Sequence, residues 1–180
     1  MSRAASAIYE LEGVAPDIHE TAWVAPGAVV IGSVTLSEES SIWFNCMLRG
    51  DTNKIFIGPR TNIQDGTIIH VNPGSRFSTQ VGAEVTVGHA AIIHACTLED
   101  RAFVGMGGVV LDAAVIEENG MLGAHSVLPP GKRIGRNELW IGAPAKLVRV
   151  MGEEERARNN AIAPHYAELA RRYRSGLRAL

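Results

Sequence analysis

Six aliphatic residues near the start of this chain, Ile18, Val24, Val30, Leu36, Ile42 and Leu48, follow one another at intervals of six. The phase slips once before Ile57, Ile63 and Ile69 take it up, and Val81, Val87 and Ile93 keep it, with Ser75 at the intervening place. After a single step of five, Leu98, Val104, Val110, Ile116, Leu122 and Leu128 complete the series. A period of six is neither the 3.6 of a helix nor the two of an ordinary strand. It fits a prism in which each hexad forms one short face and three hexads close a coil. Each aliphatic side chain then points to the axis and stacks on its counterpart about eighteen residues on. Small residues after many of the aliphatics (Gly58, Gly82, Gly88, Gly105, Gly123) suit a tightly turned coil. The fold expected is an all-β solenoid, a parallel β-helix of hexapeptide repeats.

The repeat covers residues 18–133, and "LWIGAPAKLVR" (139–149) carries the turn formers that end it. Residues 1–150 are therefore expected to be one hexapeptide-repeat domain. Residues 151–180, polar, Ala-rich and acidic at the start, form a C-terminal α-helical segment packed on the coil, broken in two near Pro164. "VNPGSRFSTQ" (71–80) occupies one hexad's place with turn formers and reads as a loop leaving the coil. With a net charge of −2 and a pI near 6.3, the chain lacks the basic surface that nucleic acid demands. No stretch approaches the roughly 18 apolar residues of a membrane span. The first residues lack a basic start followed by an apolar core, so no signal peptide is expected among them. Two cysteines, Cys46 and Cys96, give no disulfide framework and suit a reducing cytoplasm.

The histidines carry the chemistry. His70 follows the axial Ile69 and His94 follows the axial Ile93. If the 71–80 loop absorbs one hexad, the two are one coil apart, and His94 stacks on His70 about 5 Å away. His89 is two past the axial Val87, in the preceding hexad, so it belongs to another face of the prism. Outward side chains on faces roughly 120° apart cannot meet within one chain, but they meet when three prisms pack around a three-fold axis. The spacing predicts a homotrimer in which His70 and His94 of one chain join His89 of its neighbour. Three imidazoles with one open position form the pattern of a catalytic zinc site. His19, His125 and His165 have no partner in register and are read as surface or local packing. Cys96 is read as a small core residue rather than a ligand, and Trp23, Trp43 and Trp140 as core or interface filler.

"LRGDTNKIFIGPRTNIQDGTIIHV" (48–71) and "VGHAAIIHACTLEDRAFVGMG" (87–107) together resemble the gamma-class carbonic anhydrase family. The resemblance implies a left-handed coil, a trimer with zinc (or iron or cobalt) between subunits, and reversible hydration of CO₂ to bicarbonate by a hydroxide held on the metal. It carries the ligands over to His70, His89 and His94. It implies an intersubunit ion pair of Arg49 with Asp65, supported by Asp51. It places Gln64 and Asn62 near the hydroxide, Gln64 as the residue that orients it, although Asn62 also fits a corner residue bridging coils. "APHYAELARRY" resembles a C-terminal helix whose tyrosine reaches the site, and Tyr166 matches better than Tyr173.

Two departures bear on turnover. Thr52 stands where the archaeal type of the family carries a glutamate, and residues 71–80 contain no carboxylate. Both positions serve proton export there, so proton release is expected to limit the rate here. Three other readings compete. The same coil serves acetyl transfer from coenzyme A; a metal hydroxide also hydrolyses thioesters; and the chain can be a non-catalytic metal-holding scaffold.

Overall fold

The computed structural model describes residues 7–74 and 77–179. It is a left-handed parallel β-solenoid of about seven turns followed by helix. Three stacks of short strands form its faces. The first holds the strands Ile68–His70, Ile92–His94, Val109–Val110 and Val127–Leu128. The second holds Thr79–Val81, Thr97–Leu98, Val115–Ile116 and Arg133–Ile134. The long strands Val29–Leu36 and Met47–Ile57 run along both faces and join them into one sheet. The third face is a separate sheet that starts at Trp23–Val24 and ends in the antiparallel pair Glu138–Gly142 and Ala145–Val150.

Hexad register decides the core. On the first face Leu48, Ile69, Ile93, Val110 and Leu128 pair in succession, all at 0% exposure. Ile57, Val81, Leu98, Ile116 and Ile134 pair likewise on the second, and Ile42, Ile63, Val87, Val104 and Leu122 on the third, all buried. Burying each such side chain stabilises the coil by about 1.5–3 kcal/mol, so the aliphatic column is the main force holding coil on coil.

Each irregularity of the repeat has a place. Gly32 pairs with Gly50 but Val34 with Ile55, so Met47–Ile57 carries three extra residues, and these account for the slip between Leu48 and Ile57. Ile69 pairs with Ile93 and Ile57 with Val81, so the segment after His70 takes up one hexad as expected. The glycines act differently from the expectation. Gly58, Gly82, Gly88, Gly105 and Gly123 do not have positive φ; a Cβ on Gly88 would lie 2.7 Å from the Met106 nitrogen of the next coil. They permit close approach of coils, while the left-handed corner positions fall to Arg60, Glu84, Ala90, Arg101 and Asn119.

Helix α1 spans Glu153–Asn160 and α2 spans Ile162–Gly176. The break is at Ala161, and Pro164 lies in the first turn of α2. Proline offers no N–H to the carbonyl four residues back and its ring crowds that carbonyl, so one continuous helix cannot pass through Asn160. α2 covers the third face rather than a sheet edge. Its Ala163, Ala167 and Ala170 are buried, and Tyr166 and Tyr173 join Trp23, Trp43 and Phe44 in an aromatic cluster outside the coil. Trp43 meets the Tyr166 ring edge-on at 5.2 Å and lies 5.2 Å from the Tyr173 ring. Two of the three tryptophans thus seat the helix, and Trp140 packs against the main core. No helix among the described residues is long and apolar enough to cross a membrane.

Candidate metal centre

His70 and His94 pair directly in neighbouring strands of the first face. Their rings lie 5.1 Å apart, and His70 Nδ1 is 3.1 Å from His94 Nε2. The far nitrogen of each ring is engaged: His70 Nε2 is 2.9 Å from Asp51 Oδ1, and His94 Nδ1 is 2.5 Å from Asp112 Oδ1. A ring N–H donated to each carboxylate leaves the two inner nitrogens turning their lone pairs toward one point. Only a cation, a proton or a metal, relieves that opposition. Two imidazole nitrogens on a tetrahedral metal at about 2.0–2.1 Å stand roughly 3.3 Å apart, close to the separation here. The donor set fits a metal of the zinc type.

His89 lies elsewhere. It sits in the turn between the strands Thr86–Val87 and Ile92–His94, at the corner where the third face passes into the first. Its Nδ1 is 2.9 Å from Asp65 Oδ2, and its side chain is 42% exposed against 20% and 24% for His70 and His94. The sequence reading gave it to a face, whereas the structure gives it to a corner. Among the described residues, no three His, Cys, Asp or Glu side chains of the one chain converge on a point that could hold a metal ion.

Asp65 also accepts the Phe44 backbone N–H through Oδ1, and it pairs with His89, not with Arg49, inside the chain. Arg49 pairs with Asp51 two residues along its strand. Partial burial opposes ionisation of Asp51, but the His70 hydrogen bond and the Arg49 charge hold its carboxyl below the usual range. Gln64 and Asn62 are both buried. Gln64 Nε2 donates to Asn62 Oδ1 (3.1 Å), and Asn62 Nδ2 donates to Thr86 Oγ1 (3.0 Å) and to the Val85 carbonyl (3.3 Å). Asn62 is thus tied to the next coil and anchors Gln64, whose carbonyl oxygen is left as an acceptor.

Tyr166 lies half-buried on α2, and burial, with the Asp65 charge adding to it, pushes its phenol above the ordinary value. His19 bonds Thr21, His125 lies over Gly107, and His165 packs against the Tyr166 ring. Cys96 is a core residue whose thiol burial pushes up to about 12. Thr52 is exposed, next to Asp51. Sequence reasoning missed Asp112: Ile93 pairs with Val110, seventeen residues on because of the five-residue step, so Asp112 stands one past the position in register with His94. Asn72, which donates to Asp112 Oδ2 at 2.7 Å, carried no signal at all, because it lies in the segment that leaves the repeat.

No protein-family model matches the chain. The chain is 45% identical over 159 residues to gamma carbonic anhydrase 2, mitochondrial, of Arabidopsis thaliana, an alignment covering 86% of this chain but only 57% of that relative. It is 40% identical over 168 residues to the carbonic anhydrase of Geobacillus kaustophilus, covering 93% of this chain and 91% of the relative. Among solved structures, a hexapeptide transferase family protein from Anaplasma phagocytophilum superposes with a TM-score of 0.88 at 45% identity, covering 93% of this chain and 98% of that one. AntD, an N-acyltransferase from Bacillus cereus, superposes with a TM-score of 0.62 at 15% identity, covering 82% and 87%, a likeness of fold alone.

Proposed function

The chain belongs to the gamma carbonic anhydrase family, and on that footing we propose that it hydrates CO₂ reversibly to bicarbonate and a proton at a metal held between subunits. His70 and His94 of one protomer and His89 of the next would hold the ion, in a homotrimer. Zinc is the metal proposed, with iron(II) or cobalt(II) fitting the same donors. The observation that carries this reading is the 3.1 Å approach of His70 Nδ1 and His94 Nε2 with their far nitrogens already given to carboxylates. The exposed corner position of His89 supports its assignment to the neighbour's site. So does the outward apolar stripe of Ile68 (46% exposed), Ile92 (40%) and Met106 (56%) beside it, the kind of surface another copy covers.

A zinc ion held by these histidines would lower the pKa of its water from 15.7 to about 7 and so supply a hydroxide nucleophile at neutral pH. The chain's own residues do the rest. Gln64, fixed by Asn62, would accept the one hydrogen of the attacking hydroxide through its carbonyl oxygen and so aim a lone pair at the carbon of CO₂. Asn62, its amide committed to Thr86 and Val85, positions Gln64 rather than touching substrate. Arg49 and Asp65 are proposed to pair across the subunit boundary, with Asp51 steadying Arg49 on its own side. Tyr166, with a raised phenol pKa, is a hydrogen-bonding wall of the site rather than a proton acceptor at neutral pH. The coil (1–150) is the scaffold and 151–180 the strap that fixes the aromatic flank. The cytoplasm is the compartment proposed, on the strength of two unpaired buried thiols.

Acyl transfer rests on fold likeness alone, and the 3.1 Å approach of His70 Nδ1 to His94 Nε2 fits a pair of metal ligands better than the single imidazole base such a transfer uses. Purification without oxygen, metal analysis, molecular mass in solution and stopped-flow CO₂ hydration test the proposal. About one metal per chain in a trimer, with hydration lost in His94→Ala, is expected. A metal-loaded trimer that fails to hydrate CO₂ overturns the reading and turns attention to thioester hydrolysis or a scaffold role.

A further inference from the structure

We propose that Asp112, held by Asn72, is a positioning residue that fixes the tautomer and aim of the ligand His94. The inference rests on the three-histidine metal site and goes beyond it, since neither residue belongs to the ligand set or to the Arg49–Asp65 pair. Asp112 lies one coil on from His94, and Asp112 Oδ1 accepts from His94 Nδ1 at 2.5 Å. Its other oxygen, Oδ2, accepts from Asn72 Nδ2 at 2.7 Å. Asn72 is itself held, for its carbonyl accepts from Asn53 Nδ2 at 3.0 Å and its N–H donates to the Phe77 carbonyl at 3.2 Å.

The chain of bonds runs Asn72 to Asp112 to His94, and it has a direction. An ionised carboxylate only accepts, so His94 must carry its proton on Nδ1 and present the Nε2 lone pair toward His70. A ligand histidine whose second nitrogen is so engaged is oriented and made more basic. The hexad excluded from the coil gains a purpose as well: leaving the repeat immediately after His70 lets residue 72 reach forward past the His94 coil to Asp112.

The chemistry of an Asp112→Asn replacement sets the test. An amide at 112 can accept from His94 only by turning its NH₂ against the NH₂ of Asn72. In the opposite orientation it donates to His94 Nδ1, forcing the proton onto Nε2 and blocking the metal-facing nitrogen. Zinc affinity of the full chain, read by chelator competition, should fall about 10–100-fold in Asp112→Asn, and the visible spectrum of the cobalt(II) form should change. The double variant Asn72→Asp/Asp112→Asn restores an acceptor facing His94 and a carboxylate behind it, so it should recover most of both. If Asp112→Asn does not fold to a trimer, Asn72→Ala, which leaves Asp112 in place but unsteadied, decides by the same two readouts, with a several-fold loss expected. Unchanged zinc affinity and cobalt spectrum in Asp112→Asn, or in Asn72→Ala where that variant decides, would overturn the positioning role while leaving the metal site standing. A wild-type chain that takes up no zinc overturns the site itself and the role with it.

Discussion

Thr52 is exposed beside the carboxylate that engages His70, and neither it nor any residue of 71–80 can carry off the proton that the proposed hydration of CO₂ would release. A positioned proton-transfer group is worth about 10²–10⁴-fold. Hydration by the wild-type protein should therefore rise steeply with imidazole buffer concentration, and Thr52→Glu should raise turnover at low buffer and flatten that rise. Stopped-flow rates across a buffer series check it; brisk hydration independent of buffer in the unmodified protein would refute it. The two cysteines make a second prediction. Burial pushes both thiols up to about 12, whereas an unfolded thiol titrates near 8.5. Between those values the native state keeps a proton that the unfolded state has lost, so stability is whole below about pH 8.5 and falls as pH rises toward 12. The slope is about 1.4 kcal/mol per pH unit for each thiol. Urea unfolding at pH 8, 9 and 10 should show that decline, and Cys96→Ala should make it shallower.

Among the elements, the coil tolerates side chains where it turns outward and none where coil meets coil. A Cβ at Gly88 meets the Met106 backbone at 2.7 Å, so Gly88→Ala must push neighbouring coils apart beside His89. A loss of about 1–3 kcal/mol is expected, read as a lower urea midpoint, with metal affinity reduced in step; an unchanged midpoint would show that the coils have slack. α1 is fastened differently. Glu155 takes a bidentate grip from Arg149, and that hydrogen bonding holds its carboxyl below the usual range. A depressed carboxylate stabilises above its unfolded pKa, about 4.3, and that contribution fades as pH falls through the folded value. Hydrogen-exchange protection of the α1 amides should therefore drop below about pH 4, before the coil itself loses protection.

His89 and the pair His70–His94 occupy different places on the prism, so in the proposed trimer assembly and metal should be lost together. Dilution or mild denaturant that separates the subunits should release the metal, and a monomer retaining one tightly bound zinc would sink the intersubunit site. Mixing His89→Ala with His70→Ala chains should regenerate some whole sites, because each variant supplies what the other lacks. Arg49→Ala should weaken the trimer by about 3–5 kcal/mol if the partner charge is left buried, seen as a shift in the concentration at which sedimentation reports monomer.

Periodicity alone was enough to specify the coil, its three-residue and six-residue interruptions, and the stacking of His94 on His70. All of these follow from one repeat length, since a side chain six residues on returns to the axis and one eighteen on lies above it. The break in the helix near Pro164 was equally legible, a matter of one missing N–H. What the repeat does not encode came from the folded chain. The inter-coil glycines answer to backbone in the neighbouring coil, not to their own φ. Trp23 and Trp43 face out of the coil because a helix more than a hundred residues away covers them. Asp112 meets His94 because the five-residue step before Leu98 realigns two corners, and Asn72 meets Asp112 because a loop outside the repeat folds back. Periodicity reports contacts between equivalent positions; these contacts join positions that are not equivalent, and only three-dimensional packing brings them together.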